Sequence, residues 1–517
     1  MLPAAAEPSI DWNARVAEHE DLSASVYDVA AVSLAGSPHQ ARCIEWLLEH
    51  RNGDGTWGAN ATLCWHDRYV CTYAAATALQ NVEMGGGIVE SALQRLPEIA
   101  PEASGLTKET ISFGGLIDAL DRFSRMRGGG IVAHAPAVEH IIVEERHKWQ
   151  RMMEWDGFYT PSRSIAGFCG ERIYADERIS LNPYLKAFQV DNGSIAHSPA
   201  ASALVLHEAE RRSAAASTAI SKLRAYVHAL DPYQGVIPHF DFALHFVTAW
   251  ALMFLSELSV PYGRLGLSTR RLRAEEMHDH LQADGAVRLI SAVDLTGPPD
   301  TDTTACALLA SSFAGLEVSS IDEMEGMFSE RAGHYLTFLF ERDPSVTTNV
   351  HVAGVLAQRR SPRLVRVLEW LDQQPKSPEG WLCKWHLSPV YALGEAARVL
   401  ARIQHPLSQS LAREVAEMLL AMQQPRGGWG IERATTEETG YAVLGLAAVF
   451  DATATSSGDT ARRIQTSLLR AGEAIAQLPV DFPALWVGKS LYCVKPLVPL
   501  LRQIGLERVR GITRSVR

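Results

Sequence analysis

Glu49-His50-Arg51-Asn52-Gly53-Asp54-Gly55-Thr56-Trp57-Gly58 and, far downstream, Gln423-Gln424-Pro425-Arg426-Gly427-Gly428-Trp429-Gly430 are two copies of one kind of punctuation. In each, a run with helical spacing ends in a glycine turn, a tryptophan follows, and another helical run begins. Glycine admits the positive φ that a tight helix-ending turn requires, and the indole can then cover the end of a neighbouring helix. Weaker relatives stand at residues 373–381, at Asp156-Gly157-Phe158 and at Ala283-Asp284-Gly285. Recurrence at irregular intervals of tens of residues points to stacked helical hairpins closing into an α-barrel. Unrelated helix caps would explain any single copy, but explain both full copies less well.

The rest of the chain supports an all-α fold. Residues 198–230, 362–373 and 411–424 carry apolar side chains at helical spacing, and the segments between are short and rich in Gly, Pro, Asp and Ser. No run alternates well enough to propose a sheet. A length of 517 residues exceeds one ordinary core, so two helical lobes are expected, changing over near Val260-Pro261-Tyr262-Gly263. Arg127-Gly128-Gly129-Gly130 reads as a loop inside the first lobe, because three consecutive glycines disfavour a helix interior.

Composition removes several function classes. Apolar residues make up 47% and charged residues 21%, the balance of a globular protein. The net charge of -11 argues against a nucleic-acid partner, and the Arg-rich end (Arg508, Arg510, Arg514, Arg517) reads as a solvated tail. No signal peptide and no transmembrane segment are visible. Seven scattered cysteines with no CxxC pair fit a reduced, cytoplasmic enzyme.

Pro298-Pro299-Asp300-Thr301-Asp302-Thr303-Thr304-Ala305 is the sharpest chemical signal. Two prolines stiffen the approach, and a helix begins at Thr303. Either aspartate could simply be the N-cap of that helix. The catalytic reading needs a carboxylic acid able to protonate an alkene. Asp302 would have to be neutral in a dry site, where burial and the neighbouring Asp300 both favour the protonated form. Haloacid-dehalogenase phosphohydrolases also carry Asp-x-Asp, but theirs ends an apolar strand in an α/β domain, which this context lacks.

The later part of the chain supplies company for the acid. Ser345-Val346-Thr347-Thr348-Asn349-Val350-His351 precedes an apolar helix and offers polar groups to hold it. Residues 381–391 set Trp381, Trp385 and Tyr391 around Lys384 and His386, and residues 485–492 set Lys489 between Trp486 and Tyr492. Thr435-Thr436-Glu437-Glu438-Thr439 opens a further helix. Gly488-Lys489-Ser490 lacks the preceding glycine of a P-loop, which argues against nucleotide binding. Together these segments describe a cavity with aromatic faces and a few cations.

This run of motifs resembles bacterial class II terpene cyclases, relatives of squalene–hopene cyclase and of the cyclase half of plant copalyl diphosphate synthases, along nearly the whole chain. Val26-Tyr27-Asp28-Val29-Ala30 is similar to the family's Tyr-Asp-Thr-Ala start. Trp46 through Trp57-Gly58, then His66-Asp67-Arg68, follow its first repeat. The segments around residues 347–351, 384–389, 437–439 and 485–492 look like later signatures in the right order. The resemblance implies two α-barrel (α/α toroid) domains, β and γ, with the active site between them. The first part of β would be residues 1–23, the inserted γ domain 24–260, and the main part of β 261–517. No class I domain is expected, since no Asp-Asp-x-x-Asp motif is present.

By the same resemblance Asp302 is the general acid, Asp300 tunes it and Asn349 hydrogen-bonds it. Lys384 and Lys489 are candidates for the diphosphate, and Trp385, His386, Tyr391, Trp486 and Tyr492 for the rest of the substrate pocket. Magnesium is implied near an acidic stretch of γ, where only Glu98 and Glu102 hint at a site. Thr303 departs from the family, which usually has a further Asp there. This Asp-x-Asp-Thr-Thr pattern resembles drimenyl diphosphate synthases. The expected reaction is therefore an isomerase-type cyclisation of farnesyl diphosphate to bicyclic drimenyl diphosphate, its product passing to a phosphatase or oxidase. A labdane-type cyclase of geranylgeranyl diphosphate is the alternative. A non-catalytic prenyl-chain carrier and a protein prenyltransferase subunit are rivals of other classes.

Overall fold

Trp57 and Trp429 occupy the same position in two copies of one turn. The Trp57 indole N–H donates to Leu47 O at 2.6 Å and that of Trp429 to Leu419 O at 2.7 Å, ten residues back in both cases. Their backbone N–H groups donate to Thr72 Oγ1 and Thr439 Oγ1 on the following helices. Gly55 and Gly427 sit at φ of 88° and 91°, where a side chain would be strained. A third copy escaped the sequence reading. Gln189 Nε2 donates to Gly193 O and Ala219 O, as Gln423 Nε2 does to Gly427 O and Ser467 O, and Gly193 has φ of 92°. Ile195 stands there in place of the tryptophan, so the aromatic signal is missing.

The structure, a computed structural model, describes residues 22–59, 64–84, 86–104, 110–126, 134–156, 167–174, 179–212, 217–234, 237–239, 244–258, 300–318, 320–339, 344–453 and 458–515, with a few more between 275 and 287. Expectations for residues 127–130, Gly157-Phe158, Ala283-Asp284, 260–263 and Pro298-Pro299 fall outside these.

Two apolar cores form. The first gathers buried side chains from Val26 to Ile237. Its helices follow one another around a ring: α1 (Val26–Leu34) against Trp65–Asn81, that helix against Phe113–Met126, then the short turn Gly170–Ile173, then Pro199–Arg211, which returns to α1. The second core runs from Phe246 to Ile512 and also takes in Leu22, Phe168, Cys169 and Ala196. Six helices ring it: α2 (Leu244–Leu255), α3 (Thr301–Phe313), α4 (Val346–Gln358), α5 (Pro389–Leu400), α6 (Thr436–Thr453) and α7 (Leu497–Ser515), with α7 closing against α2.

Inner and outer helices differ as burial demands. Residues 436–449 of α6 are buried all round, whereas the outer helix Asp459–Gln477 buries Ile464, Ser467, Leu468, Ala471 and Ile475, a single stripe. The sequence placed the change of lobe near residue 260. Among the described residues, Ile237 belongs to the first core, while α2 packs its apolar side chains from Phe246 onward into the second. Of the expected leading piece, only Leu22 and Ser23 are described; Leu22 bridges Val494.

Two short ribbons interrupt the helices, β1 (Phe328–Ser329) with β2 (His334–Tyr335) and β3 (Trp486–Val487) with β4 (Leu491–Tyr492). Strands of two residues carry no alternation that a sequence reading could detect. No described helix is long and apolar enough to cross a membrane.

Candidate active site

The two aspartates of the motif divide the two readings between them. Asp300 is the N-cap of α3: its Oδ1 accepts the N–H groups of Asp302 (2.8 Å) and Thr303 (3.1 Å), and its Oδ2 accepts the Thr303 hydroxyl at 2.8 Å. Capping is thus complete without Asp302, whose carboxylate lies in the first turn and turns to α4. There His351 Nδ1 meets Asp302 Oδ1 at 2.7 Å.

Behind His351 runs a buried line of alternating charge. His351 Nε2 is 3.0 Å from Glu395 Oε2 on α5. Arg398, one turn on, donates to both Glu395 oxygens at 3.1 and 2.5 Å. Its remaining nitrogen reaches Glu257 at 3.4 Å, and Glu257 is also paired with the half-exposed Arg402. Every charge in the line has an opposite neighbour, the condition under which burial is tolerable.

Burial, reinforced by the Asp302 charge, pushes Asp300 up to about 7, against the hydrogen bonds from Thr303 and the Asp302 N–H. Burial disfavours charge on His351, but Cys306 and Asp302 outweigh it and hold the imidazole well above its usual value. Glu395 falls to about 2 despite burial, because Arg398 and His351 face it. An imidazolium at this place offers Asp302 Oδ1 a charge-assisted hydrogen bond.

Asn349 does not hold the acid. Its Oδ1 accepts the Tyr335 N–H (2.8 Å) and its Nδ2 donates to Tyr335 O (3.0 Å) and Ser345 O (2.9 Å), so it clamps β2 to α4. Residues two apart on a helix face different ways, and the side chain that reaches Asp302 is His351. The sequence did hold a signal for this line. His351 is the only titratable side chain in α4, and Glu395 and Arg398 are the only charged ones in α5.

The aromatic candidates gather beside the acid's imidazole. Trp250 on α2 packs edge-on to His351 with centroids 5.9 Å apart and donates its indole N–H to Tyr391 Oη at 2.9 Å. Tyr391 stacks on His386 at 4.6 Å, and Trp486 sets its edge against both. His386 Nδ1 accepts the Ser388 N–H, so its proton sits on Nε2, facing Glu437 Oε1 at 3.4 Å. That oxygen also accepts from Trp486 Nε1 (2.9 Å) and Tyr441 Oη (3.0 Å). Trp385 is half-buried, its ring edge against Phe338 and its carbonyl accepting the Val487 N–H. Lys384, in the loop before α5, is half-buried.

Lys489 and Tyr492 belong to the joint between the lobes. Lys489 Nζ is wholly buried, 2.6 Å from Glu171 Oε1 and 2.7 Å from Ser198 Oγ, and lies over the Phe168 ring. Its backbone N–H donates to His239 Nε2 at 3.0 Å, and His239 Nδ1 donates to Asp28 Oδ2 on α1 at 2.8 Å. Tyr492 stacks on His239 at 4.9 Å. The ammonium that the sequence assigned to a diphosphate is therefore spent on a buried carboxylate of the other lobe. Spacing could not reveal this, because the partner is 318 residues away.

For the magnesium implied by resemblance, Glu98 and Glu102 lie on the helix Gly86–Ala103, both exposed, with Glu98 paired to Arg95. Two exposed carboxylates, one already tied to a guanidinium, do not form the oxygen cage of a hard cation, and magnesium enters no step below.

No protein-family model matches the chain. It is similar to a copalyl diphosphate synthase from Streptomyces cyslabdanicus, 28% identical over 506 residues that cover 91% of this chain and 89% of the relative. A type B diterpene cyclase from Mycobacterium tuberculosis is 27% identical, covering 94% and 95%. Among solved structures, ent-copalyl diphosphate synthase from Streptomyces platensis superposes with a TM-score of 0.75 over 96% of this chain and 98% of that one, at 23% identity, a likeness of fold. The similarity along nearly the full length is to class II terpene cyclases, and the chain is an enzyme of that protonation-initiated type.

Proposed function

We propose that the chain cyclises farnesyl diphosphate to a bicyclic drimane-type diphosphate, with the diphosphate retained. Asp302 gives its proton to the terminal alkene, two further alkenes close two rings in turn, and loss of a proton completes an isomerisation. The observation that carries the chemistry is the line from Asp302 through His351 to Glu395, which supports the carboxylate left behind. Trp250, Tyr391 and Trp486 lie beside it, and desolvated aromatic faces stabilise a passing cation by up to about 2 kcal/mol.

The fifteen-carbon substrate rests on Thr303. Where the resembled family usually has a third carboxylate, this chain offers a neutral hydroxyl that donates to Asp300, in the Asp-x-Asp-Thr-Thr pattern. A second reading, geranylgeranyl diphosphate to a labdane-type product, is favoured by the relatives, which are named copalyl diphosphate synthase and diterpene cyclase. The two readings share the acid and both ring closures, and differ by one isoprene unit.

Purified protein supplied with each diphosphate in turn, followed by phosphatase and product analysis, separates them. Higher kcat/KM on farnesyl diphosphate with a bicyclic alcohol is the expected result. Higher kcat/KM on geranylgeranyl diphosphate would install the second reading, and recovery of both substrates unchanged would overturn both.

A further inference from the structure

Asp302, Cys306 and His351 bring an oxygen, a sulfur and a nitrogen to one point. The three ligating atoms all lie within 4.8 Å of one another, with Nδ1 to Oδ1 at 2.7 Å and Sγ to Nδ1 at 3.3 Å. The cause is in the sequence. Residues 302 and 306 are one turn apart on α3 and share a face, and α4 lays His351 against that face. No other cluster of three such groups occurs among the described residues.

The far side of the imidazole is arranged as in metal-binding histidines. Glu395 stands 3.0 Å from Nε2 and fixes a proton there, which leaves the Nδ1 lone pair for an ion. One carboxylate, one thiolate and one imidazole are the donor set of a zinc-like cation, not of magnesium or calcium. Metal bonds of about 2.0–2.3 Å at tetrahedral angles set neighbouring donors about 3.3–3.5 Å apart. The Asp302–His351 contact at 2.7 Å would have to open by less than about 1 Å, and the Cys306–His351 contact at 3.3 Å is already close to that spacing.

We propose that this triad binds a borderline or soft divalent cation, of the class of zinc or cadmium, which takes the place of the acid's proton and so arrests the enzyme. The binding claim stands on geometry alone; the arrest rests on the reading of Asp302 as the acid. The exchange balances. The ion enters with two positive charges, while the Cys306 thiol proton and the proton shared by Asp302 and His351 leave. Thiolate, carboxylate and neutral imidazole then hold the ion, and the buried site keeps its net charge. Because two protons leave as the ion enters, affinity must rise with pH.

The test uses the full chain, stripped with a chelator and titrated with cadmium, reading the ultraviolet thiolate-to-metal band, with zinc stoichiometry from equilibrium dialysis. Cys306→Ser and Cys306→Ala serve as paired controls, both checked for folding by circular dichroism. The other six cysteines remain in each and cancel in the difference. One equivalent bound by the wild type, and at least about 100-fold weaker in both variants, is expected from loss of the thiolate ligand. Equal binding and equal bands in wild type and variants would overturn the site. In the same preparations zinc should inhibit wild-type cyclisation at concentrations that leave Cys306→Ala running. Tight Cys306-dependent binding with undiminished turnover would keep the site and reject the arrest, and with it the role of Asp302.

Discussion

His351 Nδ1 lies 2.7 Å from Asp302 Oδ1, and its other nitrogen is committed to Glu395, so one imidazole ties the motif on α3 to a charge line on α5. Asp302 does not cap its helix, because Asp300 does. Asp302→Asn should therefore leave the helix cap in place while removing the transferable proton, and it also takes one charge from the buried line through His351. Turnover is expected to fall by at least about 100-fold, the lower range for loss of a general acid, in a variant that is still folded by circular dichroism. An Asp302→Asn protein that still turns over at the wild-type rate would remove Asp302 from the mechanism.

Replacing His351 acts differently. His351→Phe keeps an aromatic body beside Trp250 but leaves Asp302 and Glu395 without the cation between them. Breaking a buried charge line by removing one member costs about 3–5 kcal/mol, so both stability and kcat should drop. The wild-type imidazolium is held well above its usual value. Its contribution is complete below about pH 6.5 and is lost only as pH rises through the elevated folded value. His351 should accordingly keep its imidazolium through the ordinary histidine range, and a His351 ring resonance that titrates near about pH 6.5 by NMR would contradict the raised value.

Much of this arrangement was legible before any coordinates. The glycine–tryptophan turns announced stacked helical hairpins because their hydrogen bonds are local, spanning ten residues from Leu47 to Trp57 and from Leu419 to Trp429. Asp300-Thr301-Asp302 announced a helix start and its cap for a similarly local reason. Partners joined through space stayed hidden. His351 was passed over for Asn349, two residues away, because a helix face cannot be read from one polar cluster alone. Lys489 looked like a free cation because Glu171 belongs to the other lobe.

That misplaced lysine gives a sharp test. Lys489→Met would leave Glu171 buried without its ammonium, and burial already raises the Glu171 carboxyl. A loss of about 3–5 kcal/mol is expected, seen in chemical denaturation, with much of it restored by adding Glu171→Gln. KM for the prenyl diphosphate should move far less than stability. A variant with normal stability and a KM raised tenfold or more would return Lys489 to the substrate.

Asp300 and Glu438 are both pushed up to about 7, chiefly by burial, whereas unfolded carboxyls titrate near about 4. Between those values these two groups bind more protons in the folded chain than in the unfolded one, so their contribution to stability falls as pH rises from about 4 to 7. Glu438 accepts from Ser388 Oγ, Thr435 Oγ1 and the Ile431 N–H, and a glutamine can keep part of that pattern. Glu438→Gln should flatten the slope of melting temperature against pH in this window. Superimposable slopes for variant and wild type would show that Glu438 titrates normally.

Thr303 supplies the last test, since it marks where this chain departs from the pattern it otherwise resembles. Its hydroxyl donates to Asp300 Oδ2 at 2.8 Å while its backbone N–H donates to Oδ1. Thr303→Val keeps the branched shape and the backbone bond but leaves Oδ2 short of one donor in a buried place, a cost of about 1–3 kcal/mol. Ionised Asp300 bears that cost more than neutral Asp300, so the variant should hold the Asp300 proton to higher pH. Turnover is expected to fall about 5-fold or more, the lower end of that range expressed in the transition state, and its pH profile should shift upward with the Asp300 proton. A Thr303→Val protein with a wild-type rate and pH profile would show that the hydroxyl caps the helix and does nothing for the acid.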